Sequence, residues 1–339
     1  MAFLIAVVML GLIIFVHELG HFLTAKLFKM PVSEFSIGMG PQVFSVDTKK
    51  TIYSFRAIPI GGYVNIEGME VGSEVENGFS SKPAYQRFVV LFAGVFMNFL
   101  MAFILLFAVA KINGRIEYDT NAIIGGLVKG GANEQILKVD DKILELDGKK
   151  INVWTDISKI TKASQNKEEI SALIERNGKE ENITLKLTKD EENNRVVLGI
   201  SPKYKKINLS ATESLDFAKN SFNSIFTDTL KGFFTLFSGK ASLKEISGPV
   251  GIFKVVGEVS KFGWVSIISL CVVLSINIGV LNLLPIPALD GGRIIFVLLE
   301  LFGIKVNKKW EEKLHKGGMI LLLFFILMIS VNDVWKLFN

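Results

Sequence analysis

The 339-residue chain is half hydrophobic and carries a formal net charge of +5, unevenly spread. It is longer than one ordinary soluble domain and its mean hydropathy is positive, so it reads as a membrane protein with a soluble insert. No basic helix, zinc ribbon or aromatic-basic strand pattern is present, which argues for no nucleic acid among its partners. The single cysteine, Cys271, excludes an intrachain disulfide and reads as a small buried hydrophobe.

Residues 2–28 form an almost purely apolar run that holds His17-Glu18-Leu19-Gly20-His21. Histidines at i and i+4 share a helix face and can reach one metal ion, and Glu18 beside the first can polarise a water on that metal. In a soluble helix such a pattern arises often by chance. At bilayer depth each ionisable group costs about 2.5 kcal/mol or more, so three neighbours there need a compensating partner, and a bound metal is the simplest. The run lacks a basic leader and is followed by Lys26 and Lys29 rather than a cleavage site, so it is read as a mature span and not a secretory signal.

Three further runs, at 88–110, 264–284 and 317–334, are long enough to cross a bilayer core of about 30 Å. Lysine and arginine crowd the connection between the first two spans and that between the last two. By the positive-inside rule both connections are cytoplasmic, and both termini and the long middle region are extracytoplasmic. The expected partition is 1–30 for the first span, 31–87 for a cytoplasmic or re-entrant β-region and 88–111 for the second span. It continues with a soluble domain at 120–204, an amphipathic helix and Ser-Gly-Pro-Val-Gly turn at 210–262, the third span at 264–286, a cytoplasmic segment at 287–316 and the fourth span at 317–335.

Within 31–87, alternation at 43–46 and 51–58, beside Gly38-Met39-Gly40-Pro41 and Pro59-Ile60-Gly61-Gly62-Tyr63, predicts short strands joined by turns. They either dip toward the bilayer under protein cover or form an ordinary cytoplasmic hairpin. The insert predicts strands at 123–128, 142–146, 169–175, 181–187 and 196–200, with helices near 155–164 and around Ala132. A phenylalanine-rich helical stripe then runs from Leu215 to Phe237 behind a capping-box start at Ser210. It lies either in the membrane interface or against the soluble domain.

A catalytic zinc site usually has three protein ligands and one water, so a third ligand must join the two histidines. His315, the remaining histidine, sits in a lysine-rich stretch and reads as a solvated interfacial residue. Asp290 is the better candidate, because Pro285 and Pro287 break the third span just before it, at the same cytoplasmic end as His17 and His21. A helix N-cap is the alternative role for Asp290.

These segments together resemble the bacterial site-2 proteases, intramembrane zinc metalloproteases of the RseP type (regulator of sigma-E protease). The resemblance rests on H-E-L-G-H at 17–21, G-x-G at 38–40, R-A-I-P-I-G-G-Y-V at 56–64, S-G-P-V-G at 247–251 and N-x-L-P-I-P-x-L-D-G-G at 282–292, and it covers essentially the whole chain. It implies a polytopic α-helical membrane protein with four transmembrane helices, a membrane-associated β-element and one inserted PDZ-like domain. It also implies Zn2+ held by His17, His21 and Asp290, Glu18 as general base, and Asn277 and Asn282 holding unwound substrate. Gly38, Met39 and Gly40 would belong to a re-entrant element that takes substrate as an added strand.

The implied substrates are single-pass membrane proteins, such as anti-sigma factors already trimmed outside, and remnant signal peptides. Cleavage would occur in the lipid of the bacterial inner membrane, near its cytoplasmic side, with the PDZ-like domain as a size filter. Two departures stand out: Asp140 occupies a position where the family shows glycine, and Val95 follows Gly94 where proline is common. The competing class is a membrane-anchored PDZ peptide sensor with structural or no zinc; the intact Glu18 favours chemistry.

Overall fold

The computed structural model describes residues 2–69, 75–118, 121–128, 130–190, 195–239, 248–304 and 306–338. In chain order these form α1 (Ala2–Leu27), β1 (Val32–Asp47), β2 (Ile52–Ile66) and α2 (Ala84–Asn113). There follow β3 (Arg115–Tyr118), β4 (Ile124–Leu127), β5 (Lys142–Leu146), β6 (Lys149–Lys150), α3 (Trp154–Ala163), β7 (Glu169–Arg176), β8 (Lys179–Lys186), β9 (Thr188–Asp190), β10 (Arg195–Val197), β11 (Ile200–Pro202) and β12 (Tyr204–Ile207). The chain ends with α4 (Ala211–Phe237), α5 (Pro249–Val259), α6 (Trp264–Leu283), α7 (Asp290–Leu301) and α8 (Lys308–Phe338). Two compact units result, one of 1–110 with 211–339 and the other of 111–210.

In the first unit α1, α2, α6 and α8 are long and apolar enough to cross a membrane. The 20 residues of α6 rise about 30 Å, one hydrocarbon thickness. Exposed Phe3, Leu4, Val8 and Leu12 on α1 and Leu321, Leu323 and Phe324 on α8 suit contact with lipid rather than water. Helix α1 stops where Lys29 takes a positive φ of 55° and the Met30 N–H returns to the Ala25 carbonyl at 2.9 Å.

The β-region is longer and more folded than the alternation implied. Gly38 to Gly40 lie within β1 and Pro59 to Tyr63 within β2, rather than in turns beside them. Phe35, Ser36 and Ile37 face Val64, Tyr63 and Gly62 on one side and Tyr53, Ser54 and Phe55 on the other, so two strands bend into a curled sheet through repeated register shifts.

Helix α4 takes a third course beyond the two considered. Phe222 and Phe226 meet Phe99 of α2 edge-on at 5.7 Å each, within a core that also holds Val272, Ile276 and Val280 of α6. The stripe thus packs on the transmembrane helices themselves. Ser247 lies outside the described residues, but the Pro249–Gly251 part of its motif is not a turn. Proline opens α5, where its missing N–H costs nothing, and the Gly251 N–H donates to Asp333 Oδ2 of α8 at 2.8 Å.

The reading of His315 also needs correction. This residue is buried on α8, its ring meets Phe296 edge-on at 5.5 Å, and its Nδ1 accepts the Ala288 N–H at 3.2 Å. Its lysine neighbours point elsewhere on the helix, which a stretch composition cannot reveal.

The second unit is a β-rich domain around Ile143, Leu146, Ile174, Leu185 and α3's Ile157 and Ile160. A four-stranded sheet runs β6-β5-β7-β8, and β3 pairs with β12, so the unit reaches beyond the expected 120–204. The helix expected near Ala132 is a run of turns, because the Asn133 carboxamide binds the Lys186 backbone N–H and the Lys186 and Leu198 carbonyls at 2.8–3.0 Å. Asp140 has a positive φ of 76°, a conformation that suits the family's glycine and that aspartate tolerates better than most side chains. Asp141 beside it is buried and takes the Arg176 guanidinium at 2.6 and 2.8 Å.

Candidate metal centre

His17 and His21 project from one face of α1, both buried, with their rings 4.8 Å apart. The third group arrives from 273 residues away. Leu284 leaves the helical conformation after α6, Ala288 adopts a φ of +81°, and α7 begins at Asp290 with Leu289 as its N-cap. Asp290 is therefore the first helical residue and not the cap. The close return of this loop requires Gly291, where a Cβ would lie 2.3 Å from the Leu284 carbonyl oxygen.

Asp290 Oδ2 stands 3.0 Å from His17 Nε2 and 3.3 Å from His21 Nε2, and the two imidazole nitrogens are 3.2 Å apart. Tetrahedral ligands about 2.0–2.1 Å from a zinc ion are about 3.3 Å from one another, so this triangle fits one face of such a site. The donor chemistry fits as well. His21 Nδ1 meets the Val90 carbonyl at 2.8 Å, which places its proton there and leaves the Nε2 lone pair facing a carboxylate. Acceptor atoms converging this closely, out of water, call for a cation between them. Among the described residues this is the one cluster of three such groups.

Helix α2 backs the centre directly. A Cβ on Gly94 would lie 2.4 Å from His21 Nε2 and 2.8 Å from His17 Nε2, so only glycine leaves room for the two rings. Glu18 faces a cavity of about 520 Å³ shared with His17, His21, Tyr63, Asn282 and Asp290. Its Oε2 accepts the Val64 N–H at 3.1 Å, so the curled sheet holds the carboxylate. That sheet is braced by Glu34, which binds Ser54, Tyr63 and Arg56, the last at 2.7 Å, while Arg56 Nη1 donates to the Gly40 carbonyl at 2.8 Å.

The sequence-derived candidates therefore separate. His17, Glu18, His21, Asn282 and Asp290 share the cavity. Asn277 meets α4 instead, its Oδ1 accepting from Thr229 at 2.7 Å. Gly38, Met39 and Gly40 lie on β1, with Met39 opposite Ile58. Sequence reading missed Tyr63, Val64 and Arg293 on the cavity wall and Val90 behind His21. Tyr63 stood inside a quoted motif; the Val64 and Val90 contributions are backbone groups and leave no side-chain signal.

A helical membrane protein with two histidines and an aspartate converging beside a glutamate defines a metalloprotease class. The model of peptidase family M50, the site-2 proteases, matches residues 5–325, and the chain belongs to this family. It is 92% identical over its whole length to a Fusobacterium nucleatum protein that bears a zinc metalloprotease name, which is likewise covered in full. A similarly named protein of Clostridium acetobutylicum is 33% identical across 97% of this chain and 96% of its own. RasP of Bacillus subtilis, named as the regulator of sigma-W protease, is 27% identical across 98% of both. The PDZ domain of an SdrC-like protein from Listeria monocytogenes aligns with 25% of this chain and 90% of its own at 15% identity, with a TM-score of 0.23. The chain is a zinc metalloprotease of the membrane.

Proposed function

We propose that the protein hydrolyses peptide bonds within the transmembrane segments of single-pass membrane proteins, with His17, His21 and Asp290 holding zinc and Glu18 as the general base. The observation that carries this reading is the 3.0–3.3 Å triangle of donor atoms opening on the same cavity as Glu18. When bound, zinc supplies Lewis-acid polarisation and makes a water acidic enough to lose a proton near neutral pH.

Glu18, anchored by the Val64 N–H, takes the proton from the attacking water and delivers it to the leaving amine. A substrate helix buries its own carbonyls, so it must unwind before attack. Asn282 on the cavity wall offers hydrogen bonds to the unwound backbone, and Tyr63 and Val64 bring the curled sheet to the same wall for strand addition. Arg56 fixes Gly40 and Glu34 behind that strand.

Charge distribution supports an orientation with the active site toward the cytoplasm and both termini outside. We propose single-pass substrates of the anti-sigma type, already trimmed outside the membrane, together with remnant signal peptides; the Bacillus subtilis relative, named as the regulator of sigma-W protease, supports only the link to sigma-factor regulation. The inserted unit, read as PDZ-like, acts as a filter against bulky ectodomains.

The test is Glu18→Gln in purified protein with a model transmembrane substrate. Cleavage falls to background while zinc content and fold persist; undiminished cleavage would refute the base assignment.

A further inference from the structure

Asn98 lies in α2, completely buried and one side chain behind the metal centre. Its Nδ2 is 3.3 Å from His17 Nδ1, while its Oδ1, also buried, has no hydrogen-bond partner among the described residues. An orphaned acceptor beside a histidine is informative, because a carboxamide exchanges its oxygen and nitrogen by a half turn. His17 presents Nε2 to Asp290 Oδ2. A neutral ring that keeps this lone pair for a metal must carry its proton on Nδ1, where it would collide with the N–H group of Asn98. The half turn removes the collision and pairs the orphaned oxygen, since Oδ1 then accepts the Nδ1 proton while Nδ2 takes the place that Oδ1 leaves.

His21 already has this arrangement, with Nδ1 on the Val90 carbonyl of the same helix. The Ser275 hydroxyl of α6 donates to the Asn98 backbone carbonyl at 2.9 Å and fixes α2 at this level. We propose that Asn98 is a positioning residue that sets the tautomer and ring orientation of His17 through its Oδ1. The proposal rests on the His17–His21–Asp290 reading of the zinc site. Partners of this kind govern ligand basicity and metal affinity.

The test is zinc titration of the purified full-length protein against a competing chelator at fixed pH. Asn98→Leu, similar in size but without an acceptor, weakens zinc binding by about 10- to 100-fold. Asn98→Asp keeps the acceptor and restores affinity close to that of the parent chain, a rescue that a purely packing role would not give. Parent-like affinity in Asn98→Leu, or equal weakness in Asn98→Asp, overturns the proposal. His17→Ala, run alongside, loses zinc; if it binds zinc as the parent does, the ligand set itself is wrong, a failure distinct from that of Asn98.

Discussion

Replacing Gly94 by alanine places one methyl group inside the metal centre. Its Cβ would lie 2.4 Å from His21 Nε2, 2.7 Å from His21 Cε1 and 2.8 Å from His17 Nε2. Ordinary contact begins at about 3.5 Å, so the rings or the α2 backbone must retreat by roughly 1 Å. Overpacking of this kind costs about 1–3 kcal/mol. Charged to the zinc-bound state, where the rings have least freedom, that is about 5- to 150-fold in affinity at about 1.4 kcal/mol per factor of ten. In the metal-free protein the higher helix propensity of alanine returns up to about 1 kcal/mol, so the fold should survive. Equilibrium zinc competition, paired with thermal unfolding of the metal-free form, reads the two effects apart. Gly232→Ala on α4, where a Cβ meets nothing within 4 Å, is the control. Zinc affinity of Gly94→Ala equal to that of the control would refute the argument that α2 backbone defines the site.

Other perturbations separate the curled sheet from the inserted 111–210 unit. Arg56→Met removes the guanidinium that joins Gly40 to Glu34 and should lower cleavage severalfold with zinc content unchanged; a loss of zinc would mean that the sheet supports the metal rather than substrate. Arg176→Met leaves the Asp141 carboxylate buried and unpaired, a loss of about 3–5 kcal/mol that hydrogen exchange across β5 and β7 should report as weakened protection. Asp140→Gly relieves a left-handed backbone and should stabilise the same unit by up to about 1 kcal/mol, since the exposed Lys203 pair it gives up is worth little.

The transmembrane helices were legible because hydropathy and helical period are local properties. The proposed zinc ligands stood out for a different reason: two imidazoles and a carboxylate in or beside apolar spans have few harmless explanations, and the structure brings these three side chains together. Asn277 and Asn282 show where local reading stops. Five residues apart, they are separated by about 140° around a helix, so one faces Thr229 of α4 and the other the cavity. Which of the two directions pointed to the cavity depended on how α6 is rotated among its neighbours.

The sequence by itself determined the family, the spans, the metal and the two segments that must meet, since each is written in residue type and spacing. Only the tertiary structure decided what surrounds them: the Val64 N–H on Glu18, the Val90 carbonyl on His21, Asn98 against His17 and the close approach of both imidazoles to Gly94. Backbone groups carry no side-chain code, and a lone buried asparagine or glycine gains meaning only from what packs against it.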